Sequence, residues 1–245
     1  MPRFYLPHPH IENDRLTLQG NEVRHLRKVL RLRVGDEIIL FDGAGKEYQG
    51  RIIEERPTSV GIKIEHLHFS EEESSLKITL AQSLLKGEKM DYLVQKATEL
   101  GVSKIIPFFS SRSIPLLDRL SRLERHRRWE RIAIEASKQC GRSFVPKIKP
   151  LIDFSEMLSM ASQDPIRLIL YEREGRKLKE VLKEAEDGKN IFFIVGPEGG
   201  MNEKEVEESR KNGFVPIFMG KRILRSETAS LCLLSILQYE WGDIG

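Results

Sequence analysis

The sequence predicts an α/β protein, a mostly parallel sheet covered by helices and preceded by a small, mostly β module. Three observations predict it. From Leu76 onward, strand-like apolar runs alternate with helix-like stretches, as in successive βα units. Ile191-Phe192-Phe193-Ile194-Val195 is apolar at every position and ends abruptly in Gly196-Pro197-Glu198-Gly199-Gly200, as does a strand buried on both faces. Before about residue 70 the runs are short, β-like and punctuated by Gly and Pro.

In chain order, Arg15 to Gln19 reads as a short strand. Glu22 to Arg33 has helical spacing at Val23, Leu26 and Leu30, with Arg24, Arg27, Lys28 and Arg31 on the rest of its surface. Glu37 to Phe41 and Glu47 to Glu54 read as paired strands around the turn Asp42-Gly43-Ala44-Gly45. Alternation at Val60, Ile62 and Ile64 marks a half-exposed strand. Phe69 to Ser75 is acidic and Ser-rich and reads as a linker, which divides the chain into 1–70 and 71–245.

In the second part, Ile78 to Leu85 is a strand. Met90 to Leu100 is a helix stopped by Gly101, and Lys104 to Phe109 is a strand. Leu120 to Cys140 is a long helix with Trp129, Ile132, Ala133 and Ala136 inward and an Arg-rich outer face. A short helix at Asp153 to Ala161, a strand at Arg167 to Tyr171 and a helix at Lys177 to Ala185 follow. After the strand at Ile191, Asn202 and Glu205 have the spacing of a capping box that opens a helix running to Asn212. Val215 to Met219 is a further strand, and Glu227 to Trp241 the last helix.

The chain has 245 residues, enough to bury a sizeable core in one or two domains. The longest apolar runs are far too short to span a bilayer, and the amino terminus lacks the apolar core of a signal peptide. The expectation is a cytoplasmic protein with no membrane contact. Cys140 and Cys232 offer neither a disulfide framework nor metal spacing and read as buried free thiols. The histidines form no metal-ligand pattern, so no metal is expected. Forty Lys and Arg nearly balance 37 Asp and Glu. Only a local basic patch would therefore favour nucleic acid.

Chemistry points to three strand ends, which in a parallel sheet share one edge and can enclose one ligand. They are Leu170-Tyr171-Glu172, Gly196 to Gly200, and Met219 to Ala229. The glycines of the second let a ligand approach the backbone closely; the plainer reading is a tight strand-to-helix turn. The third packs Ile223 and Leu224 between Lys221, Arg222 and Arg225. Ser226 as a helix N-cap would explain part of it. Arg222 and Arg225 would then face the positive end of the helix dipole, a conflict that an anion such as RNA phosphate removes. Familiar nucleotide, serine-hydrolase and metalloprotease signatures are absent, and Gly43-Ala44-Gly45-Lys46 falls short of a phosphate loop.

A set of motifs in order extends along the chain: His25-Leu26-Arg27-Lys28-Val29-Leu30-Arg31, Lys86-Gly87-Glu88-Lys89, Gln95 to Val102, Gln139-Cys140-Gly141-Arg142, the glycine loop at Gly196, and Gly220 to Ala229. With these the sequence resembles the bacterial 16S rRNA uridine-N(3) methyltransferases of the SPOUT superfamily. The resemblance implies a PUA-like RNA-binding β-barrel over 1–70 and a methyltransferase domain over 71–245. In that domain a deep trefoil knot would lie around 194–229, an exception to the rule against knots. It implies S-adenosylmethionine as cofactor, 16S rRNA within the small ribosomal subunit as partner, and a homodimer.

Carried over by position, the cofactor contacts would come from Leu170, Tyr171, Glu172, Gly196, Pro197, Glu198, Gly199, Gly200, Met219, Gly220, Ile223, Leu224 and Arg225. Arg225 is the candidate for orienting the uracil and stabilising its anion, and Glu227 or Glu198 for accepting its proton. Arg24, Arg27, Lys28 and Arg31, with Lys86, Lys89, Arg112 and Arg142, are the candidate RNA contacts. A non-catalytic RNA-binding or ribosome-assembly factor, and a ribose 2′-O-methyltransferase of the same fold, are the competing readings.

Overall fold

The computed structural model describes residues 1–70, 75–113, 118–161, 164–185 and 190–244. Of the acidic linker, residues 71–74 lie outside the described residues. The chain forms two compact units. One is Met1–Glu73 with Ile134–Val145, and the other is Ser74–Ala133 with Pro146–Gly245.

The first unit contains β1 (Arg3–Tyr5), β2 (Ile11–Glu12), β3 (Arg15–Gln19), the helical turn α1 (Asn21–Arg24), β4 (Glu37–Phe41), β5 (Lys46–Arg56) and β6 (Ser59–Phe69). The strands form one six-stranded sheet in the order β1-β4-β5-β6-β3-β2. It is antiparallel except where β1 runs parallel to β4. Phe4, Leu18, Leu26, Ile38, Leu40, Ile52 and Ile62 form its fully buried core.

Two features differ from the sequence expectation. The helix from Glu22 does not reach Arg33: α1 continues as a π-helical stretch over His25–Val29 and stops at Leu30. Arg31 takes a left-handed backbone, φ 56°, which ends the helix. The wider π turn also rotates the face, so Val23 and Leu26 are buried while Leu30 is exposed. The turn at Asp42 to Gly45 serves packing rather than phosphate. Gly45 has φ +104°, and a Cβ there would lie 2.5 Å from the Phe144 ring, which occupies that space. Gly45 N also donates to the Ser143 carbonyl at 3.3 Å, and Val145 N to the Gly43 carbonyl at 3.1 Å. Nearby, the Arg3 guanidinium reaches Glu47 Oε1 at 2.5 Å and Ser143 Oγ at 3.3 Å. Lys138 Nζ reaches Glu22 Oε1 at 2.5 Å. The segment Ile134–Val145 is thereby built into the β module.

The second unit begins with β7 (Lys77–Ser83), α2 (Lys89–Glu99), β8 (Lys104–Phe109) and α3 (Arg119–Cys140), whose end belongs to the first unit. It continues with β9 (Lys147–Ile148), β10 (Ile152–Asp153), α4 (Phe154–Ser159), β11 (Ile166–Leu170), β12 (Arg176–Lys177) and α5 (Leu178–Glu184). It closes with β13 (Asn190–Val195), α6 (Glu203–Lys211), β14 (Val215–Phe218) and α7 (Ser226–Trp241). The sheet order is β10-β8-β7-β13-β11-β14-β12, with β9 also beside β8. Every one of these pairings is parallel.

Ile191 to Val195 is buried throughout because β13 lies between β7 and β11 with helices on both faces. Phe108, Met157, Ile169, Phe192, Ile194, Val206 and Phe214 pack on one face. Asn202 and Glu205 form the capping box of α6 as their spacing predicts. The two-residue strands β2, β9, β10 and β12 carry too little pattern to be read from sequence. Neither cysteine is buried as expected: Cys140 is exposed, Cys232 half-buried, and both are free. No helix among the described residues is long and apolar enough to cross a membrane. No cluster of metal-ligating side chains occurs among them.

Candidate active site

The parallel order places β13, β11 and β14 side by side, so their carboxyl ends open on one edge. A cavity of about 530 Å³ lies there, within the usual range for a small-molecule site. The expected cofactor-contact residues all line it: Leu170, Tyr171 and Glu172 after β11; Gly196, Pro197, Glu198, Gly199 and Gly200 after β13; Met219, Gly220, Ile223, Leu224 and Arg225 after β14. Val195, Met201, Ile217 and Phe218 add apolar wall.

The glycines of the second loop have different reasons. Gly200 has φ +71°, and a Cβ there would meet Glu172 Oε1 at 2.6 Å. The backbone itself therefore requires glycine. At Gly199 a Cβ would meet only the Arg112 side chain, at 3.7 Å, an ordinary contact. Protein packing does not demand glycine there. Gly199 lines the cavity, where a main chain without a side chain leaves room for a close approach.

A buried polar network fixes two of these loops. Gln82, at the end of β7 and fully buried, donates to Ser226 Oγ at 3.0 Å. Ser226 Oγ donates to the Gly196 carbonyl at 2.6 Å, and Ser230 Oγ donates to Gln82 Oε1 at 2.6 Å. This corrects the capping expectation. Arg225 occupies the N-cap position of α7 with no side-chain cap bond, and Ser226 bonds across to the glycine loop instead. Gln82 escaped sequence reasoning, although a glutamine inside an otherwise apolar strand is a visible signal.

The charges divide into anchored and unanchored groups. Lys221, Arg222 and Arg225 are exposed on the third loop, and their side chains make no hydrogen bond or ion pair among the described residues. Glu198 Oε1 accepts from the Lys86 amide at 3.1 Å and from Lys89 Nζ at 3.3 Å. Burial works to raise the Glu198 pKa. The backbone amides of Glu198 and Lys86, with Lys89, outweigh it and hold the carboxyl below its ordinary value. Glu198 is thus a poor proton acceptor. Glu227 does not line the cavity. Its Oε1 lies 3.7 Å from Lys89 Nζ, and its Oε2 is buried with no hydrogen-bond partner among the described residues.

The residues expected to meet RNA also separate. Arg24, Lys28 and Arg31 are exposed in the first unit, and Lys86 in the second, all without side-chain partners among the described residues. Arg27 instead straps the β5–β6 turn, donating to the carbonyls of Arg56, Pro57 and Ser59 and facing Glu55. Arg112 Nη1 donates to the Gly199 carbonyl at 2.9 Å. The Arg142 carbonyl accepts from Arg3 at 3.3 Å. On the outer face of α3, Arg128 pairs with Asp91, and Arg122 stands over the Phe109 ring at 4.6 Å.

Residues 72–238 match the model of the RNA methyltransferase domain. The chain belongs to this RNA methyltransferase family. Residues 18–65 match the PUA domain of RNA methyltransferases, which accounts for the separate β module. Among curated relatives of this family, Ribosomal RNA small subunit methyltransferase E of Bacillus subtilis is 30% identical over 94% of this chain and 91% of its own. The enzyme of that name from Buchnera aphidicola (Acyrthosiphon pisum) is 31% identical over 99% and 95%. The Neisseria gonorrhoeae Ribosomal RNA small subunit methyltransferase E, solved bound to S-adenosyl methionine, superposes with a TM-score of 0.91 at 40% identity, covering 99% of each chain. A Legionella pneumophila methyltransferase, solved with the bound cofactor, gives 0.91 at 31% identity over 99% and 98%.

Proposed function

We infer that this protein is an S-adenosylmethionine-dependent methyltransferase acting on N3 of a uridine in small-subunit 16S rRNA. The observation that carries the reading is the cavity at three adjacent strand ends. It lies in a chain that matches, over nearly its full length, a small-subunit rRNA methyltransferase solved with that cofactor. Bound there, the cofactor supplies a sulfonium methyl open to in-line attack.

The protein's own residues supply binding, orientation and proton handling. The apolar wall from Leu170, Val195 and Ile217 suits a flat heterocycle, and the main chain around Gly199 can approach it. Uracil N3 carries a proton and becomes a good nucleophile only as that proton leaves. Arg225, exposed and without a side-chain partner among the described residues, is assigned to hold the uracil carbonyls and the charge that builds on them. Of the two carboxylates, Glu227 is the remaining candidate to accept the proton, a role worth roughly a hundred- to ten-thousand-fold in rate. It has to turn toward the cavity to do so, since its Oε2 is buried. Arg24, Lys28, Arg31 and Lys86 supply phosphate contacts, so RNA affinity falls steeply with salt. A homodimer, the knot around 194–229 and the small subunit as the assembled substrate belong to the same reading.

Calorimetry with S-adenosylmethionine tests it. A stoichiometric binding heat that Gly199→Val abolishes is expected; no specific heat from the folded wild type would favour a purely RNA-binding factor.

A further inference from the structure

Lys89 is the first residue of α2, and its side chain lines the cavity. Its ammonium stands between carboxylates from two different walls, 3.3 Å from Glu198 Oε1 and 3.7 Å from Glu227 Oε1. Glu198 belongs to the glycine loop after β13. Glu227 lies in the first turn of α7, directly after the cationic loop. Lys89 is therefore the one side chain among the described residues that forms ion pairs with both loops.

We propose that Lys89 is a positioning residue for methyl transfer, which ties Glu198 and Glu227 into one ion-pair cluster and so adds a charged brace, at the cavity, between two segments that the Ser226–Gly196 bond already joins. It is not a contact to RNA phosphate. The inference rests on the reading of this cavity as the methyl-donor site. Three physical points carry it. A phosphate that captured Lys89 would come to rest beside two carboxylates and be repelled by both. A cation at the amino end of α2 faces the positive end of the helix dipole, and the two carboxylates remove that conflict. Glu198 is the only charged side chain between Gly196 and Gly200, and among the described residues its ion pair is with Lys89.

The arrangement also gives the unpartnered Glu227 Oε2 its placement. With Oε1 turned toward Lys89, the Glu227 carboxylate is held in one orientation, with Oε2 buried and without a hydrogen-bond partner among the described residues. Losing Lys89 should disturb the glycine loop and the first turn of α7 together.

The test compares Lys89→Met and Lys89→Arg in the full-length protein, each alone and with Glu198→Gln. S-adenosylmethionine affinity is measured by calorimetry, and affinity for a 16S rRNA transcript across a salt series. Lys89→Met should weaken cofactor binding on the order of tenfold and leave RNA affinity and its salt slope unchanged. Lys89→Arg, which keeps the charge, should restore cofactor affinity. In the Glu198→Gln background, Lys89→Met should cost much less than in the wild type, because the partner is already gone. Unchanged cofactor affinity with weaker RNA binding and a shallower salt slope would overturn the proposal in favour of a phosphate contact. Fully additive losses with Glu198→Gln would overturn it as well. A wild-type protein that binds no cofactor would instead refute the reading of the cavity itself.

Discussion

The Ser226 hydroxyl donates to the Gly196 carbonyl at 2.6 Å, joining the first residue of helix α7 to the first residue of the glycine loop. Two strand ends far apart in sequence thereby share one buried hydrogen bond, completed on the other side by Gln82. Ser226→Ala leaves the Gly196 carbonyl without that donor. A loss of about 1–3 kcal/mol in folding stability, with weaker cofactor binding, is expected from denaturant titration and calorimetry.

Gln82→Leu removes the centre of the same network. Ser226 and Ser230 lose their bonds to Gln82, and both serines are buried. The stability loss should be of similar size to that of Ser226→Ala. The double variant should lose less than the sum of the two, because the groups act as one unit.

Gly199 and Gly200 should respond differently to the same substitution. Gly200→Ala forces a side chain into a φ of +71° and against Glu172, costing about 1–2 kcal/mol of stability. Gly199→Ala should leave the melting temperature unchanged, since its Cβ meets only the Arg112 side chain at an ordinary distance, and, with this loop read as a cofactor wall, weaken S-adenosylmethionine binding. Equal effects on stability would contradict the assignment.

Glu198 predicts a pH dependence. Its folded pKa lies below the ordinary value of 4.5, so its contribution to stability is complete above that pH. It is lost as pH falls through the lowered folded value. Urea midpoints of the wild type and Glu198→Gln should differ near neutrality and converge in acid; a constant gap would contradict the Lys86 and Lys89 contacts.

In the β module, Gly45→Ala should destabilise by about 1–3 kcal/mol, because the new Cβ meets the Phe144 ring. Thermal unfolding checks this.

The legible features are local. The capping box of α6 closes between residues three apart, and β13 declares itself by five consecutive apolar residues. The three-loop site is legible because parallel alternation puts strand ends on one edge. Partners distant in sequence are not legible. Arg27 looks like a surface cation on a basic helix, yet its hydrogen bonds go to carbonyls 29 to 32 residues away. Lys89 has the appearance of a lone surface cation, yet it pairs with Glu198, 109 residues on. The helix at Glu22 fails in its last turn because side-chain spacing does not report a π turn or the left-handed Arg31. The capping role of Ser226 fails because its hydroxyl has a competing acceptor at Gly196, 30 residues before it.

The central claim is methyl transfer to uracil N3 with Arg225 as the orienting cation. Mass spectrometric mapping of 16S rRNA, after incubation of small subunits with the pure protein and S-adenosylmethionine, tests it most directly. The account predicts one methyl group on N3 of one uridine, strongly reduced with an Arg225→Ala protein that still binds the cofactor. A methyl group on a ribose hydroxyl, or unchanged turnover by Arg225→Ala, would contradict it.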